Sequence, residues 1–227
     1  MSIEDAKREA GESAADTVDD GSVVGLGTGS TAAHAIRALG RRVDAGLDVR
    51  GVPTSFQSRE LARESGVPLV GLDEIERADV AIDGADQVAG FDAVKGGGAA
   101  HAREKVVDAA ADRLLLVVDP SKEAETLSHP VPIEVLPDAR TTVASEVRAL
   151  DGDPALRRAE RKDGPVVTDN GNLVLDCDFG VIDDPATLAR DLSALPGAVA
   201  HGLFVGLADA VHVGTADGGS VRKMENR

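Results

Sequence analysis

Three stretches of the chain gather residues able to bind an anion, move a proton or hold a developing negative charge. The first is Gly25-Leu26-Gly27-Thr28-Gly29-Ser30-Thr31-Ala32. Glycines let the backbone approach a ligand closely, and where such a turn opens a helix the first amides point at a phosphate. The second is Asp83-Gly84-Ala85-Asp86, two carboxylates at the end of a buried apolar run. Acids held close in a turn can differ in pKa and so divide proton transfer from hydroxyl orientation. The third runs from Lys95-Gly96-Gly97-Gly98-Ala99 through His101 to Arg103-Glu104-Lys105, a cation and three glycines leading into a helix whose second turn carries Glu104. Consecutive glycines are costly in an ordered chain, so their amides, with Lys95, are candidates to stabilise an oxyanion.

Each stretch also has a plainer reading: a tight glycine turn, an Asp-rich turn with a helix cap, and a linker followed by a solvated helix face. Lys122, in Asp119-Pro120-Ser121-Lys122, follows another apolar run and could reach the same end of a sheet, although a surface lysine is the simpler reading. His34, His101, His129, His201 and His212 have no mutual spacing suited to metal ligands and read as packing or surface residues. Residues 27–32 match the G-x-G-x-x-A form of the dinucleotide fingerprint. A nicotinamide site also wants an acid about twenty positions on, at the end of the second strand, and that strand ends Val52-Pro53-Thr54-Ser55. The hydroxyls of Thr28, Ser30 and Thr31 suit a single phosphate or a sugar better.

These segments need a scaffold. Residues 22–27 read as a buried strand, and residues 30–39 as a helix with hydroxyl N-cap candidates. Further strands are expected at 48–52, 68–72, 80–83 and 113–119, with helices at 56–64 and 99–111. The alternation argues for a parallel sheet, whose ligands bind at the strands' C-terminal ends. Beyond Pro120 the rhythm changes: a strand at 133–136, a helix at 141–150, a hairpin around Asn170-Gly171, a helix at 185–194 and a strand at 198–204 form a βαββαβ-like module. Residues 210–215 read as a last strand returning to the first domain.

The 227 residues suffice for one domain with an appendage, and with no Trp, no Tyr and four Phe the core must be aliphatic. A net charge of −16 disfavours nucleic acid, so any anion site must be built locally from amides and a few cations. Cys177 is the sole cysteine, which excludes an internal disulfide and points to a reducing compartment. The first twenty residues contain no signal-peptide or membrane-spanning run, so a cytoplasmic protein without membrane partners is expected.

Taken in order, G-x-G-T-G-S-T-A, D-G-A-D, K-G-G-G-A, R-E-K, D-x-S-K and V-T-D-N-G-N-x-V-L-D resemble the ribose-5-phosphate isomerase A family, in register from near residue 5 to near 218. The resemblance implies a Rossmann-like parallel-sheet domain with a smaller inserted α+β (ferredoxin-like) domain, divided as 1–128 plus 205–227 and 129–204. It implies an aldose-ketose isomerase of the non-oxidative pentose phosphate route, interconverting D-ribose 5-phosphate and D-ribulose 5-phosphate through an enediolate, with no cofactor and no metal, as a homodimer or homotetramer. Carried over residue by residue, substrate binding falls on Thr28, Gly29, Ser30 and Thr31, on Asp83, Gly84, Ala85 and Asp86, on Lys95, Gly96, Gly97 and Gly98, and on Lys122. The family's catalytic base falls on Glu104; for the chemistry this entails we assign Asp83 to ring opening or oxygen-to-oxygen proton transfer and Lys95, with the Gly96–Gly98 amides, to enediolate stabilisation. Gln87, where the family commonly has Glu, and Pro53-Thr54-Ser55, where a Ser-rich turn is usual, depart from the pattern and put substrate affinity in question. The acid-rich, Lys-poor composition resembles that of proteins from salt-accumulating archaea. Rival readings are a related sugar-phosphate deaminase or acyl-transfer enzyme, a sugar-phosphate sensor, for which no DNA-binding module is present, and a nicotinamide dehydrogenase.

Overall fold

The structure, a computed structural model, describes residues 2–215 and 221–226. The chain divides into two compact units, one of Met1–Ala85, Arg103–Glu123 and Leu207–Arg227, the other of Asp86–Ala102 and Ala124–Gly206. Among the described residues no helix is long and apolar enough to cross a membrane.

The first unit is built on a six-stranded sheet. Its strands are β1 (Ser22–Leu26), β2 (Val49–Pro53), β3 (Val80–Gly84), β6 (Leu114–Val118), β12 (Ala210–Gly214) and β13 (Val221–Glu225). They lie in the order β13-β12-β6-β3-β1-β2, all parallel except β13, which runs antiparallel to β12. The near-continuous apolar runs of β1 and β6, buried at every position, are what a parallel sheet covered on both faces requires. The strand order reverses at β1, whose neighbours are β2 and β3.

The two faces separate by the two-residue period of a strand. Val24 and Leu26 of β1, with Val80 and Ile82 of β3, pack against α1 (Ile3–Ala15) and α2 (Ser30–Asp44). Val23 faces the other way, into a cluster with Val52, Ala78 and Val107. Helix α1 is absent from the sequence expectation, which notes for the first twenty residues only the lack of a signal-peptide or membrane-spanning run. Its buried stripe is Ala6, Ala10, Gly11, Ala14 and Ala15, and small residues serve because α2 lies close: a Cβ on Gly11 would stand 2.8 Å from the Thr31 carbonyl oxygen. Residues 68–72 are not a strand; only Leu69 makes a bridge, to Gly51. Helix α3 (Phe56–Glu64) stands as expected, capped reciprocally by Ser55 and Ser58.

The second unit carries an antiparallel sheet of β7 (Val131–Val135), β8 (Asp153–Leu156), β9 (Leu173–Asp178) and β10 (Ala198–His201), ordered β10-β7-β9-β8, with α5 (Arg140–Ala149) and α6 (Pro185–Ser193). In chain order this is βαββαβ, the ferredoxin-like arrangement. The first arm of the expected hairpin is a single bridge, Val167 to Leu173, and β9 pairs instead with β7 on one side and β8 on the other. Strand β8 escapes sequence detection because Pro154 interrupts it, which an edge strand tolerates. The unit also holds β4 (Gln87–Ala89), β5 (Asp92–Val94) and β11 (Leu203–Phe204) in a small sheet ordered β11-β5-β4, which groups residues 86–102 with this unit rather than with the first. The strand expected over 198–204 therefore divides between two sheets at Gly202, where a Cβ would lie 2.2 Å from the Lys95 carbonyl oxygen.

Candidate active site

In the first unit, β1 and β3 are adjacent at the point where strand order reverses, the place where open α/β sheets bind ligands beyond their strands' C-terminal ends. Gly25 and Gly27 face the same side as Ala81 and Asp83. A Cβ on Gly25 would meet the Ala81 Cβ and Val107 Cγ1 at 2.8 Å, and one on Gly27 would meet Asp83 Oδ1 at 2.1 Å. Gly27 is thus glycine because the Asp83 carboxylate occupies the space a side chain would need. Asp83 is fully buried, and its Oδ1 accepts from the amides of Thr28 at 3.1 Å and Gly84 at 2.7 Å.

The Thr28 hydroxyl turns toward the scaffold. It lies 2.9 Å from Thr54 Oγ1 and donates to Ser55 Oγ at 2.7 Å, while Thr54, fully buried, donates to the Leu26 carbonyl at 3.0 Å. The Thr54-Ser55 departure from the family pattern is therefore a brace for the glycine turn. At the start of α2, Gly29 is the N-cap with φ +109° and supplies no side-chain acceptor. The first-turn amides of α2 are left for an anion, with Ser30 exposed and Thr31 buried beside them.

Glu104 belongs to α4 (His101–Ala109) and is only 3% exposed. The end of α4 adjoins the start of β3, since Ala78 donates to the Ala110 carbonyl, so the helix runs from the strands' C-terminal ends back toward their beginnings. Val107 packs at the level of Gly25 and Ala81, and Glu104 lies three residues, about 4.5 Å along the axis, nearer the helix start. Burial lowers the Lys105 ammonium to about 8. Lys122 follows β6, the neighbour of β3, in a 3-10 turn whose Asp119 cap accepts from the Ser121 amide at 2.9 Å. The first unit thus brings Thr28–Thr31, Asp83, Glu104 and Lys122 to one end of its sheet.

The second unit holds Asp86 and Lys95–Gly98. Lys95 is 2% exposed and its Nζ stands 5.2 Å from the Phe204 ring centroid, a cation–π contact that helps a charged amine tolerate burial. Its amide donates to the Gly202 carbonyl at 2.8 Å. The Gly97 amide donates to Asp86 Oδ2 at 2.7 Å, so one of the three loop amides is engaged by this carboxylate. Glycine is required here by shape: Gly96 has φ +110°, and a Cβ on Gly97 would lie 2.6 Å from Asp86 Oδ1. Ala99 closes the turn onto the Gly96 carbonyl at 2.9 Å with φ +57°, a left-handed conformation that costs an alanine about 1–2 kcal/mol. This is an ordered, strained loop, not a linker.

Gln87 is engaged with the backbone of a neighbouring segment. Its Oε1 accepts from the amides of Ser128 at 2.6 Å and His129 at 2.8 Å. The histidines serve structure: His34 contacts Glu4, His201 contacts Ser193, His212 contacts Ser13, and His101 Nε2 accepts from the Glu134 amide at 3.1 Å. The sequence shows Thr54 only as a departure from the family pattern and gives no sign of its bracing role or of the steric demand at Gly27, because the partner of each is brought in from a distant part of the chain.

The family model described as "Ribose 5-phosphate isomerase A (phosphoriboisomerase A)" matches residues 50–218. A protein of Haloarcula marismortui named ribose-5-phosphate isomerase A is 71% identical over 219 residues, 96% of each chain. A solved D-ribose-5-phosphate isomerase in complex with phospho-erythronic acid superposes with a TM-score of 0.96 at 40% identity, over 100% of both chains. The ribose 5-phosphate isomerase A of Methanocaldococcus jannaschii superposes at 0.94 with 42% identity, over 99% of this chain and 100% of that one.

Proposed function

The chain belongs to the ribose-5-phosphate isomerase A family, and from that premise we propose that it interconverts D-ribose 5-phosphate and D-ribulose 5-phosphate with Glu104 as the carbon base. In the aldose-to-ketose direction the Glu104 carboxylate takes the proton from C2. The C1–C2 bond gains double-bond character, and the aldehyde oxygen becomes an enediolate oxygen. Asp83 moves the O2 proton toward O1, after opening the ring of the cyclic sugar, and Glu104 returns its proton to C1. The products are a C2 ketone and a C1 hydroxymethyl group, with atoms and charge unchanged.

Lys95 and the Gly96–Gly98 loop stabilise the enediolate, Asp86 orients hydroxyls, and Gly29–Thr31 with Lys122 hold the substrate's polar groups, on a turn that Thr28 fixes to the scaffold. What carries this reading is that two carboxylates, Asp83 and Glu104, are each buried in the first unit, Asp83 at the switch-point end of a parallel sheet, near a helix whose first amides lack a side-chain cap. It is further supported by the complex of a structural relative with phospho-erythronic acid. The carboxylate of such an acid is planar and anionic beside a hydroxylated carbon, much as the planar O–C=C–O unit of an enediolate is.

The proposal extends to a homodimer or dimer of dimers acting in the cytoplasm on the non-oxidative pentose phosphate route, to be checked by light scattering in concentrated KCl. The central test is Glu104→Gln assayed by NMR in deuterated water. A single placed base contributes about 10²- to 10⁴-fold, so turnover should fall at least that far, along with deuterium entry at the isomerised carbon, while phospho-erythronic acid still binds. Near-normal turnover in this variant removes Glu104 from the role.

A further inference from the structure

We propose that Arg157, held by Asp176, is a positioning residue of the isomerisation: it sets the direction of the Gly97 and Gly98 amides and, through Gly97, the carboxylate of Asp86. The proposal rests on the reading that Asp86 and the Lys95–Gly98 loop serve the reaction. All the groups concerned lie in the second unit.

Arg157 follows directly on β8, and its amide donates to the Val174 carbonyl of β9 at 2.9 Å. Its side chain is 16% exposed. Nε donates to Asp176 Oδ2 at 2.9 Å and Nη2 to Asp176 Oδ1, a bidentate pair across the two strands. That pair alone would complete a cross-strand contact. The remaining nitrogen does something else: Nη1 donates to the carbonyl oxygens of Gly96 at 2.8 Å and Gly97 at 3.1 Å, two successive carbonyls far back in the chain.

In a trans peptide the C=O and the following N–H point in opposite directions across one plane. Fixing the Gly96 carbonyl on Arg157 therefore drives the Gly97 N–H to the far side, where Asp86 Oδ2 accepts it at 2.7 Å. Fixing the Gly97 carbonyl does the same for the Gly98 N–H. The peptide between Gly96 and Gly97 is clamped from both sides, by a guanidinium on its oxygen and a carboxylate on its hydrogen. Glycines could not hold this direction unaided, since their backbones have the widest freedom. With Ala99 confined at φ +57° at the other end of the turn, the loop is held in one conformation before substrate arrives. Asp176 keeps the guanidinium fork in the plane that reaches both carbonyls. A lysine, with a single ammonium, cannot span a carboxylate and two carbonyls with the same geometry.

The test uses the full chain in concentrated KCl, with Arg157→Lys and Asp176→Asn measured beside Lys95→Met. For each, kcat and KM for ribose 5-phosphate are set against the thermal midpoint, and glycine-labelled protein reports the Gly97 and Gly98 amide resonances. Misplacement of a catalytic group by about 1 Å costs about 10²-fold. Arg157→Lys should therefore lose about 10- to 100-fold in kcat, with KM within about threefold and both amide resonances displaced, in protein still folded at the assay temperature. Asp176→Asn should lose less in the same pattern, and it supplies the reading if Arg157→Lys fails to fold. If both keep kcat within about twofold while Lys95→Met loses activity, Arg157 has no positioning role although the loop does. If Lys95→Met is itself fully active, the loop reading and this proposal fall together. Activity lost only in proportion to folded protein, with unmoved amide resonances, also overturns it.

Discussion

Replacing Gly27 with alanine tests the site at the point where sterics and chemistry meet. The new Cβ would stand 2.1 Å from Asp83 Oδ1, 2.3 Å from Cγ and 2.6 Å from the Asp83 Cα, whereas real Cβ atoms essentially never approach another atom within 3.0 Å. Relief requires Oδ1 to retreat by about 1 Å, and a displacement of that size at a reacting group costs about 10²-fold in rate. At about 1.36 kcal/mol per decade this is a barrier increase of about 2.7 kcal/mol. Because the Asp83 backbone is also within reach, rotation of the side chain cannot absorb the clash, and overpacking should cost a further 1–3 kcal/mol or so of stability. The matched control is Gly51→Ala, whose Cβ would press on Leu26 Cδ1 at 2.4 Å and whose next nearest neighbours, Leu26 Cγ and Val67 Cγ1, are also apolar. Both variants should unfold at lower denaturant, and only Gly27→Ala should lose kcat, measured by ribose 5-phosphate turnover at saturating substrate. A folded Gly27→Ala protein with kcat within threefold of the parent would show that the placement of Asp83 is not what the reaction depends on.

His212, buried in β12, has its imidazolium disfavoured first by burial and then by the nearby charges of Lys223 and Arg113, which lower its pKa from 6.5 to about 4. The unfolded chain takes up this proton first, so the contribution is present above about pH 6.5 and lost as pH falls toward 4. Between pH 7 and pH 5 the loss is about 2 kcal/mol. Urea unfolding of wild type and His212→Gln at both pH values should show the variant's stability to be less pH-dependent by that amount, and equal slopes would remove His212 as the cause. Ala99→Gly relieves a left-handed alanine worth about 1–2 kcal/mol but frees the unfolded chain by about 0.4–1 kcal/mol. Its unfolding midpoint should stay level or rise, and a clear fall would mean the Ala99 methyl contributes packing that outweighs the strain.

The architecture was legible where large aliphatic side chains mark it. The runs in β1 and β6 announce a covered parallel sheet, and the change of rhythm beyond Pro120 announces a second unit. It was illegible where small residues do the packing, as in α1, because alanine and glycine at helical spacing carry little hydrophobic signal even when wholly buried. Strand β8 was hidden by a proline that only its edge position permits, and the division of 198–204 depended on a backbone approach at Gly202 made from elsewhere in the chain.

The site divides likewise. Residue types and motif order singled out Asp83, Glu104 and Lys95, because charged groups stand out beside glycines and apolar runs. What holds them could not be read: Thr28 is braced by a hydroxyl 26 positions away, and the Gly96 carbonyl by a guanidinium 61 positions away. No local pattern encodes such partners, since each depends on tertiary pairing.

The way the units share the chain bears on how the protein is made. The ferredoxin-like sheet is drawn from one uninterrupted stretch, from Val131 to His201, whereas the parallel sheet waits for β12, which begins only at Ala210. During synthesis, domains tend to fold as their residues emerge. The later-encoded sheet can therefore close first, while β6 still presents the open edge that β12 will cover. Until that strand arrives, the nascent chain carries a five-residue apolar edge, LLLVV, the kind that pairs readily with another chain. The last strands thus end a period of exposure during synthesis as well as completing a sheet.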